Sequence, residues 1–146
     1  MSAQTPAYED DNIFAKIIKG EIPSEKLFED DSAIAIMDVM PQSKGHMLVI
    51  PKAPSRNMLD ASDETLQGVI PLVAKLARAA KAAFSSDGVQ VVQFNEASAG
   101  QTVFHLHFHV IPVYEGVALK RHAMGEVPME TIKEHAEMVR AELARG

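Results

Sequence analysis

Gly100-Gln101-Thr102-Val103-Phe104-His105-Leu106-His107-Phe108-His109-Val110-Ile111-Pro112 is the stretch on which the reading of this chain turns. Three of the six histidines stand here at alternate positions in an otherwise apolar run. Residues 103–113 predict a strand, and a strand turns successive side chains to opposite faces. His105, His107 and His109 then share one face, while Phe104, Leu106, Phe108 and Val110 share the other and belong in the core. Three imidazoles on the remaining face must line a site, a polar network or solvent.

The rest of the chain supplies partners for that strand. Residues 1–11, rich in small and acidic side chains, read as a flexible leader. Asn12 is placed to cap a short helix through Lys19, with Ile13, Phe14, Ile17 and Ile18 at helical spacing and Gly20 as a stop. Residues 25–29 and 33–38 predict a hairpin around Asp30-Asp31-Ser32, and residues 46–50 a third strand closed by Pro51. Ser62 opens one long helix to Phe84, with Leu66, Val69, Ile70, Val73, Leu76, Ala77 and Ala80 on its apolar face. Pro71 inside it predicts a kink or a break into two segments. Residues 89–94 read as a strand, 95–101 as a loop, and 129–144 as an amphipathic helix carried by Met129, Ile132, Met138, Val139 and Leu143. The expected architecture is one α+β domain over residues 12–146. It has an antiparallel sheet of about five strands, helices against one face and a C-terminal helical tail.

Composition removes several classes of function. The 146 residues suit a single domain. Fourteen Lys+Arg against twenty Asp+Glu leave a net charge of −6, with no basic cluster to displace counterions from nucleic acid. The absence of cysteine removes disulfides, thiol catalysis and Cys-ligated metals. No run approaches the roughly 20 apolar residues that span a bilayer, and the N-terminus is polar and acidic, unlike a signal peptide. No membrane partner and a cytoplasmic location are expected.

Three chemistries compete for the histidines. A structural or merely exposed role suits one histidine better than three in alternation. A metal could be chelated by two neighbours about 6.6 Å apart on one strand face, but the outer pair at about 13 Å cannot easily join them. Further donors would have to come from His46 or the acidic residues. A nucleophilic role uses all three: a neutral imidazole attacks phosphorus well near neutral pH, its phosphoramidate product is itself labile, and the flanking rings can donate to phosphate and leaving group. The small-residue loop Ala97-Ser98-Ala99-Gly100 would let backbone N–H groups approach an anion.

His105-Leu106-His107-Phe108-His109-Val110-Ile111 resembles the His-φ-His-φ-His-φ-φ signature, φ being apolar, of the histidine triad (HIT) family of nucleotide hydrolases and transferases. The resemblance is closest to the bacterial Hint-like branch and runs from about Asn12 to Tyr114. It includes Ile13-Phe14-Ala15-Lys16-Ile17-Ile18 with Gly20-Glu21-Ile22-Pro23-Ser24, and Ile36-Met37-Asp38 with Pro41. It continues through Gly45-His46-Met47-Leu48-Val49-Ile50-Pro51-Lys52, Asn95 and Gly100-Gln101-Thr102.

The resemblance implies that His107 is the nucleophile toward the α-phosphorus of a nucleotide, and that water then releases the nucleotidyl group. It implies that His109 contacts phosphate, that His105 orients the site, and that Thr102 helps the leaving group. Gly100, Gln101 and Asn95 would border the phosphates, Asp38 would accept from the ribose hydroxyls, and Ile17, Ile36 and Val39 would enclose the base. Two departures stand out. Many bacterial relatives carry Cys-Ile-Phe-Cys and bind zinc where this chain has Asn12-Ile13-Phe14-Ala15, so no metal is expected although His46 and His105 remain. Ile36 stands where the family usually has an aromatic residue near the base. Residues beyond Glu115 match poorly, and His122 and His135 are expected on the surface.

Histidine rather than glutamine at 109 favours hydrolysis over transfer, and the basic zinc-finger region of DNA-repair relatives is missing. The resemblance thus implies a cofactor-free nucleotidyl hydrolase of purine nucleoside phosphoramidates or adenylyl conjugates, working through a nucleotidyl-His107 intermediate as a two-fold homodimer. The alternatives are a dinucleoside polyphosphate hydrolase, a non-catalytic nucleotide-binding protein, or a metal binder using two triad histidines and His46.

Overall fold

The computed structural model describes residues 6–121 and 127–146. The elements run α1 (Ile13–Ile18), β1 (Lys26–Glu29), β2 (Ala33–Met37), β3 (Met47–Pro51), α2 (Asp63–Phe84), β4 (Gly88–Val92), a 3-10 turn (Ala97–Ala99), β5 (Phe108–Val113) and α3 (Met129–Ala144). The five strands form one sheet in the order β1-β2-β3-β5-β4, every pair antiparallel. No helix among the described residues is long and apolar enough to cross a membrane.

Both faces of the central strands are covered. All five residues of β2 and all five of β3 are buried, which requires packing on each side. On one face Ala33, Ala35, Met37, Met47, Val49 and Val110 meet Val69, Leu72, Val73 and Leu76 of α2 and Ile132, Ala136 and Val139 of α3. On the other, Ile34, Ile36, Leu48 and Ile50 meet Phe14 and Ile17 of α1. Helices against one face alone was therefore too few: the short α1 covers the second. Fully burying one side chain such as Leu76 contributes about 1.5–3 kcal/mol.

α2 begins as its sequence implies, with Ser62 Oγ accepting from the Thr65 N–H. It is not broken at Pro71, which lies with Gln67 on the exposed side, where the lost backbone bond faces solvent. Ile70, expected inward, is 46% exposed, and Leu72 is buried instead. Asn12 caps α1 by accepting from the Ala15 N–H. Gly45, just before β3, has φ +90, and a Cβ there would fall onto the Phe84 ring. In α3, Met129 and Met138 are exposed while Ile132, Ala136 and Val139 carry the packing. His135 is half-buried edge-on to Phe84, not on the surface. His122 and residues 1–5 of the leader lie outside the described residues.

The expected strand over residues 103–113 is half its length: β5 begins at Phe108. Ahead of it, the Leu106 N–H is taken by the Ser55 carbonyl, the Val103 carbonyl by the Gln101 side chain, and the His105 carbonyl by the His107 ring. Groups that a ladder would pair are thus engaged elsewhere. The inward side chains still fall as expected, since Leu106, Phe108 and Val110 join the core. Phe104 does not, and lies beneath the Arg56 guanidinium at 4.1 Å.

Candidate active site

A cleft of about 220 Å³ opens between α1 and the sheet. Phe14, Ile17, Ile36, Leu48 and Val39 form its apolar wall, and Asp38, Thr102, His107 and His109 its polar lining. Ile17, Ile36, Val39, Asp38, Thr102, His107 and His109 are thereby brought together, whereas His105, Asn95, Gly100 and Gln101 do not line the cleft.

Fixed backbone partners decide which ring nitrogens carry protons. A carbonyl only accepts, so His105 Nε2, 2.7 Å from Pro51 O, holds the proton, and His105 Nδ1 accepts from the Tyr8 hydroxyl at 2.7 Å. Burial pushes the His105 pKa down, which keeps this ring neutral. His107 Nδ1 lies 2.6 Å from the His105 carbonyl oxygen, so its proton is on Nδ1 and its lone pair on Nε2.

His109 is fixed from the opposite direction. The Gln42 N–H donates to His46 Nδ1 at 3.0 Å, leaving the His46 proton on Nε2. His46 Nε2 donates to His109 Nδ1 at 2.9 Å, which places the His109 proton on its own Nε2. Two buried rings 5.1 Å apart therefore have complementary tautomers, an Nε2 lone pair on His107 and an Nε2–H on His109. Phe14 of α1 packs edge-on against His107 at 4.8 Å.

Asp38 follows β2, where Oδ1 accepts the Met40 N–H in a tight turn. Its Oδ2 is buried with no hydrogen-bond partner and lies 3.5 Å from His46 Nε2. A carboxylate oxygen left unpaired beside an apolar cleft is suited to a hydroxyl donor. Thr102 is exposed and joins the lining.

The loop before the triad is braced from below. Arg56 makes a two-bond fork to Glu96, and Asn57 Nδ2 donates to both Glu96 and Gln101. The Arg56 guanidinium holds the Glu96 carboxyl below the usual carboxylate range. These bonds hold Glu96 at φ +79. The Gln101 amide is wholly occupied, accepting from Asn57 and the Glu96 N–H and donating to the Arg56 and Val103 carbonyls. Its side chain therefore shapes the loop and leaves no donor for phosphate. Asn95 Oδ1 accepts from the Met58 N–H and from Gln93, and Asn95 Nδ2 donates to Gln93. Gly100, at φ +109 beside Phe94, closes the turn.

A metal could be held only by Asp38, His46 and His109, whose ligand atoms lie within 4.8 Å of one another among the described residues. The donor set opposes it. The Gln42 N–H occupies His46 Nδ1, so the proton sits on the nitrogen that would have to ligate. Positions 12 and 15 are Asn and Ala rather than thiols. Two contributors escape sequence reasoning: His46 reads there as part of the matching block and as a metal donor, with no role toward His109, and Tyr8 falls in the acidic leader with no local pattern to mark it.

The HIT domain family matches residues 19–116. Adenosine 5'-monophosphoramidase hnt1 of Schizosaccharomyces pombe is 44% identical over 100 residues, covering 68% of this chain and 72% of that protein. Adenylylsulfatase HINT3 of Arabidopsis thaliana is 33% identical over 127 residues, covering 83% of this chain and 64% of that one. Among solved structures, a Hit-like protein from Bartonella henselae matches with a TM-score of 0.87 at 54% identity, covering 93% of this chain and 99% of that one. On the triad, the five-stranded sheet and these matches, the chain belongs to the HIT family.

Proposed function

We propose that the protein is a nucleotidyl hydrolase that cleaves purine nucleoside phosphoramidates or adenylyl conjugates through a covalent intermediate on His107. The observation that carries this reading is the bond from His107 Nδ1 to the His105 carbonyl, which leaves Nε2 as the attacking nitrogen. The names of the fission-yeast monophosphoramidase and the plant adenylylsulfatase support the same class.

The nucleoside enters the cleft with its base between Ile17, Ile36 and Val39 and its ribose hydroxyls on Asp38. His107 Nε2 forms a bond to the α-phosphorus as the bond to the leaving nitrogen or oxygen breaks, and the leaving group takes a proton at the solvent side by Thr102. The resulting imidazolium keeps its Nδ1–H on the His105 carbonyl, while the His109 Nε2–H donates to the phosphoryl oxygens that gain charge. Water then attacks phosphorus and loses a proton to solvent, the P–Nε2 electron pair returns to the ring, and nucleoside monophosphate is released from neutral His107.

The protein is proposed to act in the cytoplasm as a homodimer joined through β4. That strand ends the sheet and exposes 49% of Val91, and an unpaired edge favours a symmetric copy. The molar mass in solution tests the dimer.

Hydrolysis of adenosine phosphoramidate beside diadenosine tetraphosphate, in wild type and His107→Asn, tests the activity. Release of AMP from the phosphoramidate, abolished by the substitution, is expected. Faster cleavage of the tetraphosphate would move the substrate to the polyphosphates. Turnover that survives His107→Asn would overturn the mechanism.

A further inference from the structure

The segment ahead of α1 brings to the site a group that the reaction above does not use. Tyr8 is half-buried with its ring edge-on to His105, centroids 5.5 Å apart, and its hydroxyl lies 2.7 Å from His105 Nδ1. The Asn12 side-chain amide donates to that hydroxyl at 3.1 Å, so the phenolic proton is directed at His105. Asn12 Oδ1 caps α1, the helix that carries Phe14 and Ile17 into the cleft. One side chain thus ties the wall that would hold the nucleoside to the residue whose carbonyl holds His107.

The His105 ring is gripped from both sides, by the Tyr8 O–H on Nδ1 and by the Pro51 carbonyl on Nε2. Its own carbonyl is the acceptor for His107 Nδ1. We infer that Tyr8 is a positioning residue, whose hydroxyl fixes the His105 ring against Pro51 and so holds the His105 carbonyl where it keeps the His107 proton on Nδ1. This rests on His107 being the nucleophile. Without the hydroxyl, His105 Nδ1 is a buried acceptor with no donor, the ring can shift from Pro51, and the His107 proton is shared between Nδ1 and Nε2. Only the Nδ1–H form can attack.

The test uses Tyr8→Phe and Asn12→Asp in the full chain. Asp still caps α1 but has no N–H, so the Tyr8 hydroxyl turns toward the new carboxylate and away from His105. Both variants are expected to lower kcat on adenosine phosphoramidate about tenfold, with KM within about twofold and a melting temperature lower by only a few degrees. In ¹⁵N spectra of the imidazoles, the His107 ring should change from one tautomer to a mixture, and this reading needs no turnover. If wild type hydrolyses nothing, the proposed function fails while the spectra still decide the role of Tyr8. Wild-type kcat in Tyr8→Phe, or an unchanged His107 ring spectrum, would overturn the inference.

Discussion

His107 Nδ1 sits 2.6 Å from the backbone carbonyl oxygen of His105, two residues earlier in the same chain. The acceptor is a backbone carbonyl close in sequence, and a carbonyl cannot reverse its role. That single bond assigns the proton and therefore the nitrogen that reacts.

His109 depends on a longer relay that begins at the Gln42 N–H and passes through His46. His46→Phe keeps a ring in this fully buried position but removes the donor to His109 Nδ1. kcat is expected to fall about tenfold to a hundredfold with KM little changed, because the lost donor is what keeps the His109 proton on the nitrogen that meets charge developing on the phosphoryl oxygens. Steady-state kinetics on adenosine phosphoramidate check this.

Asp38 lines the nucleoside cleft, and its buried Oδ2 makes no hydrogen bond and lies 3.5 Å from His46 Nε2. Asp38→Asn should weaken AMP binding about tenfold, and leave the affinity for the 2',3'-dideoxy analogue, already weaker in wild type, almost unchanged. Calorimetric titration of both ligands gives the comparison. Equal losses for the two would place the carboxylate elsewhere than on the ribose.

Acid should destabilise the fold first through two partly or wholly buried histidines. Burial holds His105 and His135 below their ordinary value of 6.5. The unfolded chain therefore binds more protons there, and stability is complete above that value and declines as pH falls below it toward the folded pKa. Glu29 and Glu96, held below their ordinary 4.5, act only further into acid. Melting temperatures should drop between about pH 7 and about pH 5, with a shallower slope in His135→Gln.

Gly45 lies in the left-handed region and faces the Phe84 ring. Gly45→Ala adds backbone strain and a collision in one step and is expected to cost about 1–3 kcal/mol. A lowered midpoint in urea at unchanged slope is the expected readout.

The parts of the fold legible in the sequence were those decided locally. Asn12 and Ser62 announce their caps, and the spacing of Val69, Val73 and Leu76 announces α2. The alternation through Leu106, Phe108 and Val110 gave the buried side of the triad segment correctly. What was missed depends on partners distant in sequence. The Ser55 carbonyl takes the Leu106 N–H from fifty-one residues away and shortens β5. His46 meets His109 only because β3 and β5 pair. Gln101 is turned inward by Asn57 and Arg56, which nothing adjacent to it reveals. The second covered face had a signal in the uninterrupted apolar run Ala33-Ile34-Ala35-Ile36-Met37, which has no polar side to offer to solvent.

The central claim is that His107 becomes covalently nucleotidylated. Rapid acid-free quenching of wild-type protein with adenosine phosphoramidate, followed by intact-mass and peptide analysis, tests it directly. The account predicts a transient gain of one adenylyl group, located on His107 and absent from His107→Asn. Turnover with no such adduct at any quench time, together with AMP release by the variant, would contradict it.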